Sequence, residues 1–372
     1  MQNNGKIENN AKDNMNYGIL HLFASFLIII AALAWDIINL PAQNSESYAN
    51  LKILTGITLV SRVGIPLFVM LRGAYLLDPE NDISDSDIFK RHIPRLVFVF
   101  LSWSLFYALL EQKFFAGLMA HGPFGFWNLL DLDRLLESTV LGQPHFWYWY
   151  TLLGLYLVTP LLRVFIKNAS KAQINYFTFL CVAVTVIVVL NDGDFQNYTL
   201  NRIISMSNIF LPLGFLGYYL LGYTIKKAVK GKAIAVTLLL VSIVVFYYSL
   251  IWTMEWNSIG TRAPVNLSLL NYLSPVIYIF GITIFVIAGE MRIIQLKGYK
   301  NEILSDLSKY TVTLYMIYPL VIQFCITANV ISAAQKWQTL LLNSLIVFIV
   351  ALILAIVIAL PYRGIKKWLG NS

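Results

Sequence analysis

Charge is what this chain lacks. Asp, Glu, Lys and Arg make up 12% of its 372 residues, about half the share that a soluble globular domain carries. Apolar residues reach 58% and gather in blocks of about twenty, long enough to cross a bilayer as helices. Together these facts exclude a soluble globule. Cysteine is nearly absent: Cys181 and Cys325 both fall inside apolar runs, where they read as small packing residues and carry no redox signal. Only four histidines are present. No zinc-ligand spacing, phosphate loop, nucleophile elbow or dinucleotide fingerprint appears, so no metal is implied. No internal repeat is visible either, which withholds support from an inverted-repeat transporter of organic anions. The first sixteen residues are polar and Asn-rich. They lack the cationic start, short apolar core and small-residue cleavage site of a secretory leader, and residues 1–16 are expected to form a disordered cytoplasmic tail.

What is present is an all-α, polytopic membrane protein. Ten spans can be drawn, at 17–39, 51–77, 96–111, 146–166, 174–190, 209–224, 233–253, 267–289, 310–332 and 339–360, within a single expected domain of 17–368. The basic residues test that count. Lys6 and Lys12 precede the first span; Lys90, Arg91 and Arg95 follow the second; Arg163, Lys167 and Lys171 follow the fourth. Lys226, Lys227, Lys230 and Lys232 follow the sixth, Arg292, Lys297, Lys300 and Lys309 the eighth, and Arg363, Lys366 and Lys367 the tenth. The alternate loops hold almost none: 40–50 has no basic residue, 191–208 has Arg202, and 254–266 has Arg262. By the positive-inside rule both termini are expected in the cytoplasm. The net charge of +8 is thus a topology signal, and nucleic acid is not an expected partner; membrane lipids are. Residues 112–145 mix apolar and aromatic side chains with Asp131, Asp133, Arg134 and Glu137, and are expected to include an amphipathic segment on the outer face. Residues 290–309 are expected to form a short cytoplasmic interfacial helix.

Polar groups at membrane depth are the candidates for chemistry. Within SRVGIPLFVMLRGAYLL, residues 61–77, two arginines flank a Gly-Pro pair and a solid apolar run. A guanidinium in the hydrocarbon is costly and normally faces a bundle interior or a wet cavity. Arg62 falls roughly mid-span, where it serves either an anionic ligand or a structural pairing. Arg72 lies nearer the cytoplasmic end, where it either binds an anion bidentately or snorkels. His21, near the inner end of the first span, is either a proton carrier or a headgroup-level residue. Asp36, near the outer end, is a base, an arginine partner or a solvated carboxylate. His145 opens the run HFWYWY, which is an aromatic belt or a sugar-stacking platform including Trp147. His121 sits in an outer turn, His92 lies in a basic cluster, and Glu111 closes the third span.

Taken in order, these stretches resemble the acyltransferase-3 family of bacterial integral-membrane O-acyltransferases of surface polysaccharides. LHLFASFLIIIAALAWDI is similar to the family's first helix, SRVGIPLFVMLRGAYLL to its second, FKRHIPRLVFVFLSWSLFY to the basic lead-in and third, and HFWYWYTLLGLYLVTPLLRVF to the fourth. KYTVTLYMIYPLVI resembles a late helix that usually ends in His-Pro. The resemblance implies transfer of an acyl group, usually acetyl, from a cytoplasmic acyl-CoA to a hydroxyl of a surface glycan or lipid-linked sugar, in the bacterial inner membrane. It implies a cavity open to the cytoplasm, with Arg62, Arg72 and Arg95 toward the donor and Asp36, His145 and Trp147 toward the acceptor. The family's first helix carries an arginine and a histidine separated by ten residues; this chain has His21 and Ala32 there. Arg72 stands where a serine is usual, and Tyr318 where the late histidine is usual. His21 and Tyr318 are then the candidates left for the catalytic roles. The alternative is an inactive member that acts in polysaccharide binding or export. No feature of the sequence fixes the oligomeric state.

Overall fold

The computed structural model describes residues 18–35, 45–81, 83–112, 131–191, 214–228, 231–256, 268–290, 306–332 and 337–370. They are mostly helical, joined by short turns, with no strand among them. In chain order the principal helices are α1 (Gly18–Trp35), α2 (Ser45–Ser61) and α3 (Gly64–Leu76), α4 (Ile93–Glu111), α5 (Leu132–Leu141) and α6 (Trp147–Asn168). They continue as α7 (Lys171–Leu190), α8 (Leu216–Ala228), α9 (Lys232–Trp256), α10 (Pro275–Glu290), α11 (Thr311–Thr327) and α12 (Trp337–Gly370). Eight segments are long and apolar enough to cross a membrane. Of the other two expected spans, the ninth is the shorter apolar helix α11. The sixth is represented by α8, because 192–213 lies outside the described residues. The chain is an all-α polytopic membrane protein.

The helices gather into two compact units, one formed by residues 1–75 with 171–372 and the other by residues 76–170. In the first unit α3 is the core. Its side chains from Ile65 to Leu71 are all buried, as are Ala74 and Leu76. Hydrophobicity alone does not select such a helix in a bilayer, since lipid tails are as apolar as leucine; close packing over small residues does. Three glycines show how. A Cβ on Gly64 would lie 2.7 Å from the Ala24 carbonyl of α1. One on Gly73 would lie 1.8 Å from the Tyr219 carbonyl of α8, and one on Gly222 of α8 would lie 1.9 Å from the Met70 carbonyl. The α3–α8 crossing is therefore a backbone-to-backbone contact. Around it, α8 packs on α7 and α10, α9 on α10 and α2, and α11 on α12. The outer face of α9 exposes Val236, Leu240, Val244 and Tyr247, the pattern of a lipid-facing stave.

In the second unit, α4 is entered through a capped turn. Ser84 and Asp87 cap each other's backbone at the start of the helix Asp85–Asp87, which runs through a π-helical turn, Ile88–His92, into α4. The third span thus begins well before residue 96. The expected amphipathic segment includes α5, with Leu132, Leu136, Val140 and Leu141 exposed and Asp131 capping its first turn at the Arg134 amide. Residues 113–130 lie outside the description, but the Gln112 amide clasps both backbone groups of Asp131, at 2.9 and 3.0 Å. Gly142 ends α5 at φ +70°, and a side chain there would meet Phe146 and Phe100. The interfacial helix expected over 290–309 falls mostly outside the described residues.

Candidate functional site

The second expected span is not one helix. It breaks at Arg62 and Val63, between α2 and α3. Pro66 gives the reason: it has no N–H for the carbonyl four residues earlier, which belongs to Arg62, and its ring crowds that carbonyl. The break turns the Arg62 guanidinium toward the last residue of α1 and the segment before α10. It lies 4.2 Å from the Trp35 ring centre and 4.8 Å from that of Tyr272. Nη1 donates to the Leu270 carbonyl at 2.9 Å. Nε is buried without an acceptor, and no carboxylate pairs with the group among the described residues. Tyr218 supports this box from below: its hydroxyl donates to the Tyr272 carbonyl at 2.7 Å, and its ring stacks on Tyr278 with centres 3.9 Å apart. Tyr278 in turn donates to the Gly214 carbonyl at 3.2 Å.

His21 and Arg72 form a second polar centre. His21 is half-buried in the first turn of α1, its ring 5.4 Å from that of Phe68, and lies within electrostatic range of the Arg72 guanidinium. The imidazole Nδ1 is buried with no hydrogen-bond partner among the described residues. Arg72 is half-buried beside the Gly73 crossing. Nearby, Lys226 Nζ reaches the Ala74 carbonyl at 3.5 Å. So His21 packs on Phe68 of α3, within electrostatic range of Arg72, while Arg62 reaches Trp35 and Tyr272 instead. Trp35 and His21 are fourteen residues apart on α1, about 21 Å along the axis, and Arg62, in the break before α3, stands ten residues from Arg72, about 15 Å at the helical rise. Tyr318 is buried on α11 with its ring 5.9 Å from that of Tyr315.

The remaining candidates divide as follows. Asp36 and His121 lie outside the described residues. Arg95 is exposed on α4. His145 sits at the entrance to α6, its ring 5.5 Å from Tyr107 and 4.3 Å from Phe146, while Trp147 is exposed beside Tyr148. His92, read from the sequence as part of a basic cluster, packs edge-on against Tyr156 at 6.4 Å. An apolar hollow of about 190 Å³ lies between α4, α5 and α6, with Phe100, Val140, Trp149 and Leu153 in its walls.

One functional-looking residue was missed in the sequence. Arg163, counted there only as a topology charge, donates to three backbone carbonyls, of Leu76 at 2.7 Å, Asp78 at 3.3 Å and Ile83 at 2.8 Å. It holds the turn that leads out of α3. The only available signal was its place five residues before the end of α6 rather than beyond it.

The helices define a multi-pass membrane protein that keeps two half-buried arginines, Arg62 and Arg72, and a half-buried histidine, His21, within its apolar bundle. The sequence profile of the acyltransferase domain family matches residues 19–360, nearly the whole chain, and the protein belongs to that acyltransferase-3 family. No curated protein and no solved structure matches it.

Proposed function

We propose that this protein is a membrane O-acyltransferase of the bacterial inner membrane. It moves an acyl group, acetyl in the first instance, from a cytoplasmic acyl-CoA to a hydroxyl of a cell-surface glycan or lipid-linked sugar. The observation that carries this reading is the acyltransferase family membership, which covers 19–360; His21, with a buried Nδ1 that has no hydrogen-bond partner among the described residues, is the base it leaves available. With both termini cytoplasmic, His21 and Arg72 face the donor side.

The chemistry follows from the groups. The acceptor oxygen forms a bond to the thioester carbonyl carbon while the C–S bond breaks, and the hydroxyl proton must pass to a base within hydrogen-bond reach. His21 Nδ1, buried and uncommitted, takes that proton and returns it to the leaving thiolate. Arg72 holds a phosphate of the donor in a bidentate grip. Tyr318 offers a hydroxyl, a hydrogen-bond donor rather than a base near neutral pH. His21 stands eleven residues from Ala32, about 16 Å along a helix, so the reacting thioester is placed nearer the cytoplasmic end than a histidine at residue 32 would place it. His145 and Trp147 serve the acceptor sugar.

A second reading has its own observation: Ala32, at the usual histidine position, offers no proton acceptor. It makes the chain an inactive member that binds or exports polysaccharide. Purified protein reconstituted with labelled acetyl-CoA separates the two. Turnover, as acyl transfer or donor hydrolysis, is expected above a protein-free control and is lost in His21→Gln. Intact CoA binding with no turnover would establish the inactive reading.

A further inference from the structure

We propose that Arg62, with Trp35 and Tyr272, forms a binding site for an oxyanion carried by the acceptor, separate from the donor site at His21 and Arg72. The identity of the ligand as an acceptor rests on the acyl-transfer reading; the site itself does not. Three observations support it. The guanidinium lies 4.2 and 4.8 Å from two ring centres and donates to the Leu270 carbonyl, so it is positioned before any ligand arrives. Only Nη1 is committed, and the edge formed by Nε and Nη2, which grips a carboxylate or phosphate side-on with two parallel hydrogen bonds, has no acceptor among the described residues. Among the described residues this half-buried charge has no counter-charge, which is unfavourable, and ring quadrupoles with one carbonyl offset it only in part; an incoming oxyanion completes the set.

Arg62 is placed wrongly for the donor. The phosphates of coenzyme A all lie in its nucleotide half, and a nucleotide held at Arg72 cannot also present one about 15 Å further along α3. The aromatic walls suit a sugar: Trp35 is partly exposed, and an indole beside a guanidinium packs against a pyranose ring while the charge takes its anionic substituent. The ligand class is a sugar bearing an oxyanion, either the carboxylate of an acidic sugar or the diphosphate that links a sugar to a lipid.

The full-length protein in lipid nanodiscs is titrated with a glucuronic-acid oligosaccharide, a neutral oligosaccharide on a short prenyl diphosphate, and the same neutral oligosaccharide free. At least one anionic probe is expected to bind tenfold or more tightly than the neutral one, and which of them does so identifies the source of the oxyanion. Arg62→Gln is expected to abolish that preference. Arg62→Lys, which keeps the charge but not the bidentate edge, is expected to lose most of it and serves if the glutamine variant does not fold. Both variants should bind CoA as the unaltered protein does, whereas Arg72→Gln should not. Equal affinity for all three probes, a preference that survives both Arg62 variants, or CoA binding that falls with Arg62 would each overturn the assignment. Absence of turnover in the unaltered protein overturns the acyl-transfer reading and leaves the anion preference standing, so the two failures are distinguishable.

Discussion

Replacing Gly73 with alanine tests the packing of this bundle at its tightest point. The new methyl would start 1.8 Å from the Tyr219 carbonyl oxygen, with the Tyr219 carbonyl carbon at 2.7 Å and its Cα at 3.0 Å. All three atoms are backbone, so no side-chain rotation relieves the overlap. Restoring an ordinary contact requires α3 and α8 to separate by about 1.5 Å, a displacement that forfeits much of the dispersion energy along both surfaces. Overpacking that a core can absorb costs about 1–3 kcal/mol; with rigid backbone on both sides, Gly73→Ala belongs at or above the upper end, a fall in Tm of about 5 °C or more. The same separation would accommodate a methyl at Gly222, which starts 1.9 Å from the Met70 carbonyl. The double variant should therefore be little worse than either single one, a coupling that independent sites do not show. Thermal unfolding in detergent, followed by tryptophan fluorescence, measures all three. Gly154→Ala and Gly289→Ala, where a methyl meets nothing within 4 Å, serve as references and should gain about 0.5–1 kcal/mol from helix propensity. If Gly73→Ala unfolds with those references, or if the two crossing variants simply add, the close-approach argument is wrong.

Arg163→Gln removes a charged donor from three carbonyls and should cost about 2 kcal/mol, read as faster amide exchange around Asp78 with little change in α9. Ser242 and Thr283 share a 2.7 Å hydroxyl bond between α9 and α10; a double-mutant cycle with alanine and valine should return about 0.6 kcal/mol, the average for such bonds in membrane bundles, and zero coupling would refute the contact. Tyr218→Phe keeps the stack on Tyr278 but leaves the Tyr272 carbonyl without its donor; stability should fall by about 1 kcal/mol, and the anion preference at Arg62 should weaken with it.

Much of the architecture was readable because bilayer length and loop charge impose strong constraints on a sequence. The spans at 174–190 and 233–253 reappear as α7 and α9 with ends moved by a few residues. The helix break was readable in part: Gly64 and Pro66 mark a kink, but the arginine it displaces, and the rings that displacement brings around the guanidinium, depend on Trp35 and Tyr272, one before it in the chain and one far beyond. Gly73 and Gly222 are 149 residues apart, and each alone looks like an ordinary glycine in an apolar helix. Their partnership exists only once α3 and α8 cross. Arg62 and Arg72 looked alike as two costly charges in one stretch. Sequence spacing could not show that one faces aromatic rings at the far end of α1 while the other lies within electrostatic range of His21 near its start. Arg163 was hidden by the very rule that ordered the spans, since a basic residue at an inner helix end already had an explanation.

The turn before α9 carries a consequence for how the protein is made. Gly231, at φ +132°, opens that turn, and its amide donates to Glu290 Oε1 at 2.6 Å, the last residue of α10. The start of one span is thus fastened by a residue at the end of the next, 59 positions later. During synthesis α9 must enter the bilayer before its fastening exists, with a provisional starting turn that becomes fixed only when α10 has followed it in. The two helices are completed as a hairpin, and a ribosome stalled between them would leave α9 inserted but its first turn unlocked.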